Sequence, residues 1–368
     1  MKERSKNKLG YGALLLGGIT LAVATLAGNS NRLDTSAERN KTGDLKHSVL
    51  TQQFAHQLAS KNEARNLLVA SILIGSGKAL MPASRQKTNE GLAAQWMRSA
   101  IEAGQSDVLI AWYEATHCFG DKVCNAGSAI ARLEKLDPEN AAVHLLALNY
   151  AQLGNDQADM DATFLRAVNS RYYNSYYHEY AKATYLSMAG WQPEKNDAER
   201  EDDAKNWGLD KPPSDEDYRK IQALGMALAF PLPGFQSFTN YCDGSKKGLD
   251  RKEACIKLFE MIRNDNTAIS KAVALSMLSK LTVGHPKGPQ FREELRQHYW
   301  MRENQNKLNK MRPEYDSSYI QQWPHLTEWE SLIVDMRKAE IPLTAPESWM
   351  PFDPGQRSRV LTGLDPKY

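Results

Sequence analysis

Beyond residue 62, apolar residues recur at helical spacing, and almost no stretch alternates as a strand does. In the stretch 90–117, two adjacent rows with i, i+4 spacing form a wide apolar helical face. These rows are Leu92, Trp96 and Ala100, and Ala93, Met97 and Ile101. Gly104 then interrupts the pattern, and Ser106 and Asp107 are typical of the cap and first turn of a second helix. The pattern predicts a helix–turn–helix unit.

The interruptions recur along the chain at a nearly constant interval. Gly120, Gly154 and Gly190 each follow a helical run and are spaced 34 and 36 residues apart. Second helices predicted near 123–136 and 156–168 have a similar offset. A period in the mid-thirties with two amphipathic helices per unit is typical of an α-solenoid, in which each hairpin buries its apolar face against the next.

Two stretches resemble known repeat families. "EGLAAQWMRSAIEAGQSDVLIAWYEA" is similar to the Sel-type repeat, and "ARLEKLDPENAAVHLLALNYAQLGN" resembles the tetratricopeptide repeat, with its L-D-P-x-N junction. His144 and Leu148 depart from the family pattern, as do Asp159 and Met160 in the second helix. The resemblance covers about residues 62–190. It implies an all-α fold built from tetratricopeptide/Sel-like hairpins, and arrays of this kind usually bind other proteins or peptides.

Five tyrosines lie within the ten residues "RYYNSYYHEY", at 171–180. Their spacing predicts the first helix of the next hairpin, capped by Asn174. Two interpretations are open: the rings pack between adjacent helices with their hydroxyls reaching the surface, or some of them line a binding groove. The residues of this candidate groove are Tyr172, Tyr173, Tyr176, Tyr177 and Tyr180.

The remainder of the chain divides by composition. Residues 191–213 are highly charged and bracketed by prolines, which predicts a linker holding one short exposed helix. Residues 214–340 carry further helical patterns without a repeat period and are expected to form an additional helical domain. The proline-rich residues 341–368 cannot form a long helix. We expect an extended tail, laid over the body through Trp349 and Phe352.

The first thirty residues differ from the rest. A basic start precedes an uncharged stretch, residues 9–31, and Ala22-Val23-Ala24 offers a cleavage site. This pattern predicts an export signal. The alternative is an uncleaved anchor that tethers the protein to the membrane through residues 9–27. Residues 31–61 are expected to hold a linker and a first helix. In either case the basic flank predicts that the body lies across the membrane, in the periplasm of a Gram-negative-type envelope.

Cleavage would also change the charge balance. Removing residues 1–24 takes four Lys/Arg from 46 and one Glu from 44, which leaves 42 and 43 and a net charge of −1. The mature chain therefore offers no electrostatic basis for binding nucleic acid.

Four cysteines, an even number in an exported chain, predict disulfides. The simplest pairing is local, Cys118 with Cys124 and Cys242 with Cys255. Buried free thiols are the alternative. The spacings do not suit a zinc site, and the eight histidines are scattered, so we expect neither a metal nor a cofactor.

No catalytic motif emerges from the sequence. We therefore expect a non-enzymatic scaffold that binds another envelope or secreted protein. The alternatives are an envelope carbohydrate- or peptide-processing enzyme with acidic residues drawn from distant helices, and a purely structural membrane-tethered protein.

Overall fold

The computed structural model describes residues 51–76, 83–117, 125–154, 156–193, 195–207, 209, 211–228, 230, 232–243, 249–311 and 321–366. Over these ranges the regular secondary structure is entirely α-helical, and the one isolated bridge joins Asn140 to Tyr172. The predicted all-α class is confirmed. The predicted export signal and the Cys118–Cys124 pair lie outside the described residues.

The helices follow one another through short connections. In chain order they are α1 (51–60), α2 (Ala64–Ser76), α3 (Ala83–Ala103), α4 (Val108–His117), α5 (Ala126–Leu136), α6 (Ala141–Gly154), α7 (Gln157–Val168), α8 (Tyr177–Ser187), α9 (Asp197–Trp207), α10 (Asp215–Leu228), α11 (Phe235–Asp243), α12 (Leu249–Ile262), α13 (Ala268–Leu281), α14 (Gly288–Met311), α15 (Glu328–Lys338) and α16 (Pro354–Thr362).

Three successive hairpins, α2–α3, α4–α5 and α6–α7, pack in chain order, with further contacts between α3 and α4 and between α5 and α6. After α7 this order changes. Helices α6 and α7 pack against α11 and α12, whereas α8 packs against α2 and α10. Adjacent helix pairs are therefore in contact as predicted, but the fourth predicted unit does not simply extend the line.

The sequence of α2 explains why α8 returns to it. Helix α2 is apolar on most of its circumference, and six of its apolar residues are buried: Leu67, Leu68, Val69, Ala70, Leu73 and Ile74. A helix that is hydrophobic on all sides must be covered on all sides. The contacts of α2 with α3, α4 and α8 provide this cover.

One hydrophobic cluster runs through the described chain from Phe54 to Trp323, including residues before and after the charged segment 191–213. A second, smaller cluster lies between α14 and α15 and consists of Met301, Leu308, Leu332 and Met336. The charged segment itself forms helix α9 and loops.

Several helix ends are fixed by side-chain caps or by glycine. Ser214 and Asp217 exchange hydrogen bonds at the start of α10, and Thr327 with Glu330 forms a capping box at the start of α15. Gly363 ends α16 at φ 80°, and an ideal Cβ there would lie 2.4 Å from the carbonyl oxygen of Ser279. Only glycine fits this close approach.

The C-terminal residues are not extended throughout. Residues 341–353 run along α14, where the buried guanidinium of Arg296 donates to the carbonyl oxygens of Pro346 (2.7 Å) and Trp349 (3.1 Å). The chain then forms helix α16, which contacts α13 and α14. Phe352, expected to hold the tail down, is 89% exposed. Asp353 caps α16 and Pro354 fits its first turn, where proline is tolerated.

Candidate functional site

The tyrosine-rich stretch lies between α7 and α8 and is mostly not helical. Helix α8 begins at Tyr177, and Tyr176 before it has a left-handed backbone, φ 58°. The prediction of one helix from Tyr172 onward is wrong for residues 172–176. Asn174 does not cap α8; its Oδ1 accepts from the backbone N–H of Tyr176 at 2.8 Å, which favours a local turn. We call residues 171–176 the tyrosine segment.

The backbone of the tyrosine segment is bound to the junction between α5 and α6. The N–H of Arg171 donates to the carbonyl oxygen of Glu139 at 3.0 Å, and the N–H of Ala141 donates to that of Tyr172 at 2.8 Å. These bonds satisfy peptide groups that a helix would otherwise have paired internally. A contact distant in sequence therefore replaces the predicted helical turn.

Asn140 is the centre of this junction and is fully buried. Its Oδ1 accepts from the N–H groups of Ala142 (3.0 Å) and Asn174 (2.9 Å). Its Nδ2 donates to Asp137 Oδ2 (3.1 Å) and to the carbonyl oxygen of Asn174 (3.0 Å). The amide uses its full hydrogen-bonding capacity, so it both begins α6 and fixes the tyrosine segment.

Two phenols of the tyrosine segment meet the same carboxylate. The hydroxyl of Tyr172 donates to Oδ1 of Asp137, and that of Tyr176 donates to Oδ2. Burial, followed by the hydrogen bond to Asp137, raises the pKa of Tyr172 to about 12. The same two causes raise the pKa of Tyr176 further. Both phenols therefore remain protonated donors at neutral pH.

The other side of the tyrosine segment lies against the junction between α12 and α13. Ser175 Oγ donates to Asp265 Oδ2 at 3.3 Å, and Thr267 Oγ1 donates to the same oxygen at 2.8 Å. Asp265 is buried, as is Tyr173, whose pKa is raised by burial and by the charge of Asp265. The tyrosine segment thus joins two helix junctions that are far apart in the sequence.

The rings pack into the core. Tyr176 meets Trp112 edge-on at 5.1 Å between centroids, and Tyr180 stacks on Phe230 at 4.2 Å. Tyr173, Tyr176 and Tyr180 are buried, and Tyr177 is partly buried.

Burial differs among the five tyrosines of the candidate groove. Tyr172, at 41% exposure, is the member of the candidate groove that is clearly exposed. Buried rings cannot contact a partner, so burial favours the core interpretation for Tyr173, Tyr176 and Tyr180.

A disulfide joins Cys242, near the end of α11, to Cys255 in α12, and both residues are buried. The predicted pairing is confirmed for these two cysteines. The bridge closes a short loop between adjacent helices and so limits the freedom of the unfolded chain.

Sequence reasoning missed a set of exposed apolar side chains on the hairpin α6–α7. Leu153 is 62% exposed, Leu165 is 55% exposed and Tyr150 is 42% exposed. Leu165 is flanked in α7 by the inward-facing Phe164 and Ala167. The available signal was an apolar residue at a position where the helical period predicts a polar one. We call Tyr150, Leu153 and Leu165 the hairpin patch.

The described residues include neither a metal-binding cluster nor a membrane-spanning helix. Within the ranges given above, no group of three or more His, Cys, Asp or Glu side chains is arranged to hold a metal ion. In the same part of the chain, no helix is both long enough and apolar enough to cross a bilayer.

Comparison with protein-family models, with curated proteins and with solved structures finds no match to this chain.

Proposed function

We propose that this protein is an exported, non-enzymatic helical scaffold of the cell envelope that binds another envelope or secreted protein through the hairpin patch. The hairpins α2–α3, α4–α5 and α6–α7 belong, in this proposal, to the tetratricopeptide/Sel-like class. Their packing in chain order supports that assignment.

The exposure of the hairpin patch carries the proposal. Single exposed leucines are common on protein surfaces, but Tyr150, Leu153 and Leu165 all lie on one hairpin. Covering apolar area is worth roughly 25 cal/mol per Å². A partner that covers this hairpin would recover that free energy.

The hairpin α6–α7 is also held firmly by its neighbours. On one side, α6 contacts α5; on the other, α6 and α7 contact α11 and α12, the helices joined by the disulfide. Arg251 in α12 forms an ion pair with Asp161 in α7 at 2.9 Å. A rigid surface loses little conformational entropy on binding, which favours recognition.

Export is supported by the amino-terminal sequence pattern and by the disulfide. Disulfides persist in oxidising compartments such as the periplasm and are rare in the cytosol. Amino-terminal sequencing of the protein from its source cells separates the two forms considered above. A start after residue 24 indicates a cleaved signal, and a start at Met1 indicates a retained tether.

Affinity capture from envelope extract tests the binding role. The double variant Leu153→Lys, Leu165→Lys should lose a partner that the unaltered protein captures, because two charges would have to be desolvated in the interface. Lysine suits both positions, which lie in the last turns of their helices. Stability should change by less than about 0.5 kcal/mol.

Leu186→Lys is the matched control. Leu186 is 60% exposed and also lies in the last turn of its helix, α8, but away from the hairpin α6–α7. This variant should capture the partner normally. Equal capture by the double variant and the unaltered protein would contradict the assignment of the hairpin patch.

A further inference from the structure

Three side chains from consecutive helices meet on the second half of the molecule, away from the hairpin patch. Lys271 in α13 places Nζ 4.6 Å from the ring centroid of Trp329 in α15. The imidazole of His298 in α14 lies parallel to the same indole, with centroids 5.4 Å apart and an interplanar angle of 1°. We call Lys271, His298 and Trp329 the lysine–tryptophan site.

The charge of Lys271 has no carboxylate to balance it. Among the described residues no carboxylate oxygen lies within 4.0 Å of its Nζ, although the side chain is half-buried. Burial lowers the pKa of Lys271, and the field of Glu294 opposes this effect. A half-buried cation without a carboxylate partner is unusual, because desolvation of an unbalanced charge is costly.

The acidic side chains nearby are already engaged. Glu294 accepts from Arg263 at 2.5 Å. Glu328 accepts from Arg302 at 2.9 Å and from the backbone N–H of Ala268 at 2.9 Å. Each of these acids is balanced by its own arginine, so one positive charge, that of Lys271, is left over.

His298 adds an unused polar atom. The residue is 3% exposed, and its Nδ1 has no hydrogen-bond partner in the part of the chain that the structure describes. Burial, together with the charges of Arg302 and Lys271, lowers the pKa of His298 to about 3. The ring is therefore neutral under physiological conditions and carries a single N–H.

We propose that the lysine–tryptophan site binds a carboxylate attached to a flat or apolar group. The carboxylate would neutralise Lys271, while the apolar group would cover the exposed part of Trp329. A carboxylate suits the site better than a phosphate because one unit of positive charge is unbalanced. A dianion would leave an unpaired negative charge in a half-buried place.

The carboxylate can belong to a free small molecule or to a side chain or terminus of a bound polypeptide. The chemistry of recognition is the same in both cases. The inference does not depend on the hairpin patch, which lies on other helices.

Calorimetric titration of the exported chain tests the site with four probes: phenylacetate, acetate, inorganic phosphate, and a capped peptide with one Phe-Glu pair. Phenylacetate should bind more tightly than acetate, and phosphate should bind more weakly than either. If the peptide matches or exceeds phenylacetate, the natural carboxylate belongs to a polypeptide; if it binds more weakly, the natural ligand is a free acid.

Lys271→Met is the decisive variant, since it keeps the length of the side chain and removes the charge. It should lower the affinity for phenylacetate at least about tenfold, while the melting temperature stays the same or rises. Lys182→Met, at an exposed position in α8, is the matched control and should bind normally. Lys271→Gln serves the same purpose if the methionine variant does not fold.

Trp329→Leu should weaken phenylacetate more than acetate, because it removes the aromatic surface and leaves the cation. Three results would overturn the proposal: no binding of any carboxylate at millimolar concentration, unchanged binding by both Lys271 variants, or tighter binding of phosphate than of phenylacetate.

Discussion

The tyrosine segment and the lysine–tryptophan site are both built from aromatic rings and charged groups, but they differ in how completely their polar atoms are paired. Around Asn140, every hydrogen-bonding group of the amide has a partner. Around Trp329, Lys271 has no carboxylate and His298 Nδ1 has no partner among the described residues. The buried hydroxyl of Tyr173 also lacks a hydrogen-bond partner among the described residues, so the contrast concerns Asn140 and Lys271. Complete pairing of Asn140 indicates a structural role, whereas the unbalanced charge of half-buried Lys271 indicates room for a ligand.

The comparison also shows that a conspicuous composition is a poor guide to a site. Five clustered tyrosines left a core role and a groove both open, and three of the five rings are buried in the structure. The lysine–tryptophan site draws its residues from positions 271, 298 and 329, and no local pattern marks it. Variants of the two regions should therefore behave in opposite ways.

The largest effect concerns the titration of His298. Its pKa is about 3 in the folded protein and near the ordinary 6.5 in the unfolded chain. Stability contributed by the neutral ring is complete above about pH 6.5 and is lost as the pH falls toward 3. The total loss is on the order of 5 kcal/mol.

His298→Phe should remove this pH-dependent contribution to the free energy of unfolding, while keeping an aromatic ring beside Trp329. Because Nδ1 has no partner to lose, the variant should be about as stable as the unaltered protein at neutral pH. Denaturant unfolding between about pH 3 and pH 7 measures both effects. A variant that loses several kcal/mol at neutral pH would show that the imidazole is paired after all.

The next largest effect on stability is expected at Asn140, where every hydrogen-bonding group of the amide is paired. Asn140→Ala removes four hydrogen bonds and leaves buried backbone groups of Ala142 and Asn174 without partners. We expect a loss of about 3 kcal/mol in the free energy of unfolding at neutral pH. A loss below about 1 kcal/mol would mean that the junction tolerates unpaired groups. Asn140→Ala would then be about as stable at neutral pH as His298→Phe, contrary to the expected difference.

Tyr176→Phe should have a smaller effect. The ring keeps its contact with Trp112, but the buried hydrogen bond to Asp137 is lost, at a cost of about 1 kcal/mol. Tyr173→Phe is the control, since the hydroxyl of Tyr173 is buried but has no hydrogen-bond partner among the described residues. Denaturant unfolding of both variants provides the measurement. Equal losses in the free energy of unfolding would show that the hydrogen bond of Tyr176 to Asp137 contributes no stability.

The smallest effect concerns Tyr172, whose phenol is partly exposed. Its pKa is raised to about 12, so the protonated form favours the folded state. This contribution is complete below the ordinary pKa of 10 and is lost as the pH rises toward 12. Tyr172→Phe should slightly reduce the loss of stability between about pH 10 and pH 12. Denaturant unfolding curves across this pH range provide the measurement. An unchanged curve would show that the hydroxyl is fully solvated.

Most helices could be predicted because their signals are local. Helix α4 begins at the predicted Ser106–Asp107 position, where Asp107 acts as its cap, and the proposed pair Cys242–Cys255 forms its bridge. Helix α16 was missed although Asp353-Pro354 and Gly363 are start and stop signals, because the proline content of the tail was given more weight.

The tyrosine segment could not be predicted in this way. Its spacing fits a helix, although the side chain of Asn174 favours a local turn. The competing partners are the peptide groups of Glu139 and Ala141 and the side chain of Asn140, about thirty residues earlier. Hydrogen bonds from a distant junction outweigh a local helical preference of a few tenths of a kcal/mol per residue.

By itself, the sequence determined the helical class, the positions of most helix ends and one disulfide, because periodicity, capping and short loop closure act between near neighbours. Tertiary structure alone decided that α8 turns back onto α2, that three tyrosines are buried, and that Lys271 and His298 meet over Trp329. These outcomes depend on which surfaces remain uncovered once the helices have formed, and that free energy is shared between residues far apart in the chain.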